Sequence, residues 1–341
     1  MANQLPKHLL DKPLLIPAKP GRRPSSHVFE EDSILAVDTA LACGRPLLLR
    51  GEPGVGKSQL ARAVAEALGR VFVSVFVHAR TDVHDLLWSY DAVTRLAEAQ
   101  AHGAGQEAAA ERLAQRRFVK PGPLWWALNW ERALRQATGD HVATKAPVPS
   151  YSGECHPRNG VVLLIDEIDK ADTSVPNGLL ECLGQRTFTV PGIDEPIDAV
   201  DPTPLVMLTT NEDRVLPDAF VRRCVVLHMR MPDPEQWELP NASPTSFEEW
   251  LVVRGRAHFE KKLPDEVLLA AAKQVIKDRR TVREAGHCPP GLAEYIDLLA
   301  ALAEGGSGGA VERINKIAKF VLHKHADPTP RRDDYRPGRG G

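Results

Sequence analysis

One stretch of eight residues, Gly51-Glu52-Pro53-Gly54-Val55-Gly56-Lys57-Ser58, limits what this chain can fold into more than any other. Its spacing is G-x-x-x-x-G-K-[ST], a phosphate-binding pattern. The apolar run Pro46-Leu47-Leu48-Leu49-Arg50 precedes it and reads as a short buried strand. A helical pattern follows, with Leu60, Val64 and Leu68 on one face and Gly69 as its stop. The loop therefore joins a strand to a helix N-terminus. Glycines let the backbone turn closely enough for its N–H groups to face phosphate oxygens. The helix start adds a partial positive charge. Lys57 would reach the β- and γ-phosphates of a nucleotide and Ser58 would hold Mg²⁺. Gln59, next along the helix, is taken as nucleotide-binding together with the loop. A glycine-rich turn that carries a lysine is the plain alternative, and the flanking strand and helix speak against it.

The rest of the chain supplies a sheet for such a loop. Val71–Val77 is a nearly continuous β-branched and aromatic run, as expected of a parallel strand covered on both faces. Val161–Ile165, Leu205–Leu208 and Val225–Met229 are further strands. Helical patterns separate them, which implies βαβ units and a doubly wound sheet. Asp32 or Ser33 is expected to cap a helix through Ile34, Val37 and Leu41, ended by Gly44. Residues 92–117 read as a charged, alanine-rich helical insertion. A single helix is expected from Leu124 through Leu128 to Leu134, with Trp126 and Trp130 one turn apart and packed inward. Thr187–Val190 before Pro191-Gly192 suggests a hairpin. Beyond Pro232 the strand signal stops, and four helical segments follow, the first opened by the capping-box spacing Ser246…Glu249.

The domain reading is an extended basic arm at 1–26, an α/β nucleotide-binding domain at 27–231, a helical domain at 232–325 and a disordered tail at 326–341. A net charge of −2 across 341 residues gives no general field for nucleic acid. The five scattered cysteines fit reduced thiols and a cytoplasmic setting. No stretch is long and apolar enough for a membrane span.

Nucleotide binding becomes hydrolysis only with a metal, a polarised water and charge stabilisation. The strand ending Ile165-Asp166-Glu167 offers the first two, because ligands of open α/β sheets lie at the carboxyl ends of strands. Asp166 would hold Mg²⁺ and Glu167 would act as general base. Helix capping by this acidic pair is the alternative role. Asn211 ends the next strand and could hold the attacking water or the γ-phosphate without adding charge. Arg222 and Arg223 could stabilise charge on the phosphoryl group, across a subunit boundary if they lie too far away within one chain.

The order GEPGVGKS, VVLLIDEIDK, LTTNED, LPDAFVRRC and a helical region resembles an AAA+ ATPase over about residues 27–325. The pieces FVKPGPLWWAL, DEIDKADTSVPNGLLECLGQRTFTVPG and LPDAFVRRC resemble the MoxR-type branch. The resemblance implies a five-stranded parallel sheet of order 5-1-4-3-2 with a C-terminal all-helical lid. It implies ATP and Mg²⁺ as cofactors and a homo-oligomeric ring, usually hexameric, with each nucleotide at a subunit junction. Lys57 and Ser58 then match the first nucleotide motif, Asp166 and Glu167 the second, Asn211 the first sensor, and Arg222 or Arg223 the arginine finger, with Arg222 preferred. One position departs from the family pattern. Where an arginine often opens the third lid helix, this chain reads Pro289-Pro290-Gly291-Leu292-Ala293-Glu294-Tyr295.

Three functions follow from these residues. The first is a ring ATPase that remodels a protein partner, for which the MoxR-type resemblance implies a von Willebrand factor A domain. The second is a nucleotide-dependent assembly switch with little turnover. The third is a nucleic-acid-directed motor or restriction-type GTPase, which the near-neutral charge disfavours.

Overall fold

Strands that are apolar on both faces need cover on both, and this chain provides it. The structure is a computed structural model that describes residues 4–10, 12–18, 23–101, 111, 113–151, 153–232, 246–305 and 309–322. The tail at 326–341 and parts of the 1–26 arm and the 92–117 insertion lie outside the described residues. The chain divides into two compact units, Met1–Arg230 and Met231–Gly341.

The first unit is built on β1 (Leu47–Arg50), β2 (Val71–Phe76), β3 (Val161–Asp166), β4 (Leu205–Thr210) and β5 (Val225–His228). All neighbours are parallel and the order is β5-β1-β4-β3-β2, the order that the family resemblance implies. Side chains alternate across the sheet. Leu47, Leu49, Val162, Leu164 and Met207 pack on one face with α1 (Glu31–Cys43) and α2 (Lys57–Ala67). Leu48, Leu163, Ile165 and Leu208 pack on the other with α3 (Pro123–Leu128), α4 (Trp130–Thr138) and α5 (Ser174–Gln185). Leu47, Leu48 and Leu49 are fully buried. Each contributes roughly 1.5–3 kcal/mol by leaving water. The register sets Thr210 beside Arg50, Leu208 beside Ile165 and Phe76 beside Asp166, so the carboxyl ends of four strands line up.

Two helix boundaries differ from the sequence reading. Helix α1 begins at Glu31, so its N-cap is Glu30 and not Asp32 or Ser33. Ser33 occupies the third helical position, where its hydroxyl accepts the Glu30 N–H at 3.1 Å. Gly44 ends the helix in the left-handed conformation, φ 60°, as expected. The helix expected from Leu124 to Leu134 is two helices broken at Asn129 (φ −147°, ψ 85°). The Asn129 side chain accepts the Arg132 N–H at 3.1 Å and donates to Asp198 O at 2.9 Å. It thus caps α4 while tying the break to the hairpin Thr187–Val190/Ile193–Asp198. Trp125, Trp126 and Trp130 are core residues, and the last two meet edge-on with ring centroids 4.9 Å apart.

The insertion begins on a small antiparallel pair, Trp88–Tyr90 with Val119–Pro121. Asp91 secures it. Its carboxylate accepts Lys120 Nζ at 2.8 Å and the Thr94 N–H at 2.9 Å, at the start of the helix Ala92–Ala101. The Lys120 hydrogen bond and then those to Thr94 hold its pKa down from 3.8 to about 2. A carboxylate depressed in the folded state adds stability above its unfolded pKa and loses it as pH falls through the folded one. Asp91→Asn should therefore be less stable than wild type near neutrality, with the gap closing between pH 4 and 2. Urea melts at several pH values would show a constant gap if the pair contributes nothing.

The second unit contains α6 (Phe247–Phe259), α7 (Asp265–Glu284), α8 (Leu292–Glu304) and α9 (Ala310–Val321). Ser246 Oγ caps α6 by accepting the Glu249 N–H at 3.1 Å, as its spacing predicts. Tyr295 is buried at its centre and donates to Leu268 O at 3.1 Å. A Cβ at Gly255 would come within 2.7 Å of Tyr295 Oη, so α6 approaches α8 across that glycine. No helix among the described residues is long and apolar enough to cross a membrane.

Candidate nucleotide site

The loop between β1 and α2 depends on backbone conformations that side chains disfavour. Gly51 (φ 149°), Gly54 (φ 78°) and Gly56 (φ 102°) all have positive φ. At Gly51 the constraint is doubled, since a Cβ would overlap the carbonyl oxygen of Met229 and come within 3.1 Å of its carbon. The loop curls around Lys57, which is only 6% exposed. Its ammonium donates to Gly51 O at 2.6 Å, Glu52 O at 3.0 Å and Asn211 Oδ1 at 2.7 Å. Burial lowers its pKa from 10.5, and the nearby Asp166, Asp169, Glu167 and Glu212 carboxylates pull in the opposite direction.

The acids stand opposite the loop because β3 and β4 are neighbours. Asp166 ends β3, and its two oxygens accept Ser58 Oγ at 2.9 and 3.1 Å. Thr209, on β4, donates its hydroxyl to Asp166 Oδ1. The same hydroxyl accepts the Glu167 N–H at 2.9 Å. Glu167 is left-handed, φ 60° and ψ 49°, which costs a non-glycine residue roughly 1–2 kcal/mol. In that conformation Glu167 Oε1 accepts Asn211 Nδ2 at 3.1 Å, and Oε2 lies 3.4 Å from Lys170 Nζ. A single amide, Asn211, thus links the loop lysine to the glutamate.

The structure brings together Gly51–Ser58, Asp166, Glu167 and Asn211. Gln59 turns elsewhere and donates its amide to Ser25 Oγ at 2.7 Å. Arg222 and Arg223 follow the short helix Asp218–Val221 and are exposed, and neither side chain has an ion pair among the described residues. Thr209, Asp169 and Lys170 belong to the cluster but did not stand out in the sequence. Thr209 had a signal, being the last residue but one of β4, at the carboxyl end where ligands of such sheets lie. The Ser58 hydroxyl and the Asp166 carboxylate are adjacent hard oxygen donors, the kind a magnesium ion takes beside substrate phosphates.

A family model described as an AAA domain of the dynein-related subfamily matches residues 46–224, just over half of the chain. The chain belongs to this AAA family. Its match runs from the residue before β1 to Cys224, and so takes in every group of the cluster just described. Midasin of Giardia intestinalis is 50% identical over 50 residues, which are 15% of this chain and 1% of that protein. The match therefore covers about one hundredth of that relative's length. A crystal structure of a candidate ATPase from Cytophaga hutchinsonii is 16% identical, with a TM-score of 0.35 over 85% of this chain and 79% of the other. That likeness is too loose to support any conclusion. At family level the AAA assignment agrees with ATPase chemistry.

Proposed function

We propose that this AAA chain binds ATP with Mg²⁺ and hydrolyses it, and that it works as a MoxR-like ring that remodels a protein partner. The observation that carries the reading is the Asn211 amide, bonded at once to Lys57 and to Glu167 beside the Ser58–Asp166 pair. Loop N–H groups and Lys57 bind the triphosphate. Ser58 and Asp166 would hold magnesium, which supplies charge neutralisation for the β- and γ-phosphates. Glu167 accepts a proton from the attacking water, and Asn211 orients that water. Arg222 and Arg223, exposed and unpaired among the described residues, serve a nucleotide on a neighbouring copy. The partner in this reading carries a von Willebrand factor A domain, and the setting is cytoplasmic. Residues 232–325 act as the lid.

A second reading, an assembly switch with little turnover, draws on two observations. Both oxygens of Glu167 are engaged, and no arginine stands in Pro289–Tyr295. Steady-state phosphate release, run with ATP and GTP, with and without DNA, and paired with mass measurement by light scattering, separates the readings. Turnover specific to ATP in an assembly several times the mass of one chain supports the first. Assembly on ATP without phosphate release supports the switch. A preference for GTP, or stimulation by DNA, supports a nucleic-acid-directed motor. In the assembled protein Arg222→Ala should bind ATP normally and release phosphate about 10³-fold more slowly. If Arg223→Ala does this instead, the finger is Arg223.

A further inference from the structure

Gln59, Arg62 and Glu66 are spaced i, i+3 and i+7 along α2, so they share one side of that helix. The antiparallel pair Leu14–Ile16 with Ser25–His27 packs against the same helix, and Gln59 Nε2 joins the two by donating to Ser25 Oγ at 2.7 Å. Beside this joint is a cavity of about 370 Å³, inside the range of roughly 300–1,000 Å³ for small-molecule sites. Ile16 and Pro17 from the pair, Ala65 from α2 and Phe72 from β2 give it an apolar wall.

Its polar lining is unbalanced in charge. Arg23, Arg62 and Arg70 stand against one carboxylate, Glu66, whose Oε2 accepts the Cys155 thiol at 3.4 Å. Arg70 is 3% exposed, and its guanidinium donates to Thr203 O at 3.0 Å. The Arg62 guanidinium lies over the Phe72 ring, 4.8 Å from its centroid, and makes no hydrogen bond or ion pair among the described residues. A guanidinium fork matches a carboxylate or a phosphate, and its face stacks on flat rings. The cavity runs away from the nucleotide cluster. Glu66 is eight residues on from Ser58, about 12 Å along the helix at ~1.5 Å per residue. Phe72 comes four residues before Phe76, the partner of Asp166, and so lies about 13 Å from the carboxyl edge of the sheet.

We propose that this cavity binds a small organic anion, a flat apolar body with one carboxylate or phosphate head. The head pairs with Arg62, supported by the charge of Arg23 and Arg70, and the body lies against Phe72, Ile16 and Pro17. A neutral molecule of the same shape leaves Arg62 without a counter-charge. A small anion without the flat body leaves the apolar wall wet. Both therefore bind more weakly. The ligand touches α2 and the antiparallel pair at once, so it braces that pair against the helix that begins with Lys57 and Ser58.

The test is titration of the full chain with benzoate, phenyl phosphate, benzyl alcohol and acetate, followed by ligand-observed NMR. Each is titrated into wild type and into Lys57→Met, whose phosphate loop has lost its cation. In both proteins benzoate or phenyl phosphate should bind at least about tenfold more tightly than benzyl alcohol, the body without charge, and acetate, a head without the body; this is the scale of one charge-assisted hydrogen bond. The tighter of the two in Lys57→Met identifies the head group. Arg62→Met, which keeps the stem, should weaken that ligand about tenfold or more. No saturable binding, equal binding of benzyl alcohol or acetate, or unchanged affinity in Arg62→Met overturns the proposal. Binding in wild type that is absent from Lys57→Met belongs to the phosphate loop and overturns it too. If Arg62→Met does not fold, hydrogen exchange of wild type with the same ligand decides. Slower exchange in Ser25–His27 and in the second half of α2 supports the site, and no change there ends the proposal.

Discussion

Glu167→Gln is expected to bind ATP as tightly as wild type while releasing phosphate on the order of 10²–10⁴-fold more slowly, the range that a positioned general base supplies. Binding survives because Glu167 makes none of the loop contacts. The Lys57 ammonium is held by Gly51 O, Glu52 O and Asn211 Oδ1, and the Ser58–Asp166 pair is separate from Glu167. The side-chain amide keeps the size of the carboxylate and one oxygen for Asn211 Nδ2. It loses the charge and the second acceptor. Its NH₂ group faces the Lys170 ammonium, another donor, and Lys170 can turn to Asp213 instead. Titration with a fluorescent ATP analogue and a phosphate-release assay on the same preparation would measure both quantities. Normal turnover would mean that another group takes the proton.

How much of this was legible before the fold was known depended on whether the cause was local. The phosphate loop was legible because its glycines, its strand and its helix are contiguous. Asp166, Glu167 and Asn211 were legible because each ends or directly follows a strand, and strand ends converge on one edge of a parallel sheet. The break at Asn129 was not. Leu124 and Leu128 keep helical spacing up to it, and its side chain is engaged by a carbonyl 69 residues away, at Asp198. Gln59 reads with the loop in sequence because it follows Ser58. Its partner, Ser25, comes from an antiparallel pair, Leu14–Ile16 with Ser25–His27, most of which falls in the stretch 1–26 that reads as an extended arm. Lys170 and Asp169 look like an ordinary charged turn in sequence. Their contacts follow from the approach of the loop after β4, and nothing in the order of residues reports that approach.

Lys57→Met should abolish ATP binding at attainable concentrations, with affinity falling at least about 100-fold, or ~2.7 kcal/mol. The ammonium is the one cation enclosed by the loop in the proposed mechanism. A charge-assisted bond to phosphate is worth about 1.5–3 kcal/mol, and Lys57 would make more than one. Methionine keeps the length of the stem, so the loop has no cavity to collapse into. The unliganded protein should change little, because two effects oppose each other. Three acceptors, Gly51 O, Glu52 O and Asn211 Oδ1, lose a donor. Against that, the substitution removes an ammonium whose burial already lowers its pKa. The expected change in Tm without nucleotide is therefore small. The change with nucleotide is large, since a ligand raises stability by RT ln(1 + [L]/Kd) and that increment disappears when Kd rises above the ATP concentration. Melting curves with and without ATP and Mg²⁺ read both quantities in one experiment. A wild-type rise in Tm that persists in Lys57→Met would place the nucleotide away from this loop. A fall in Tm of more than about 8 °C without nucleotide would mean that the lysine is mainly structural.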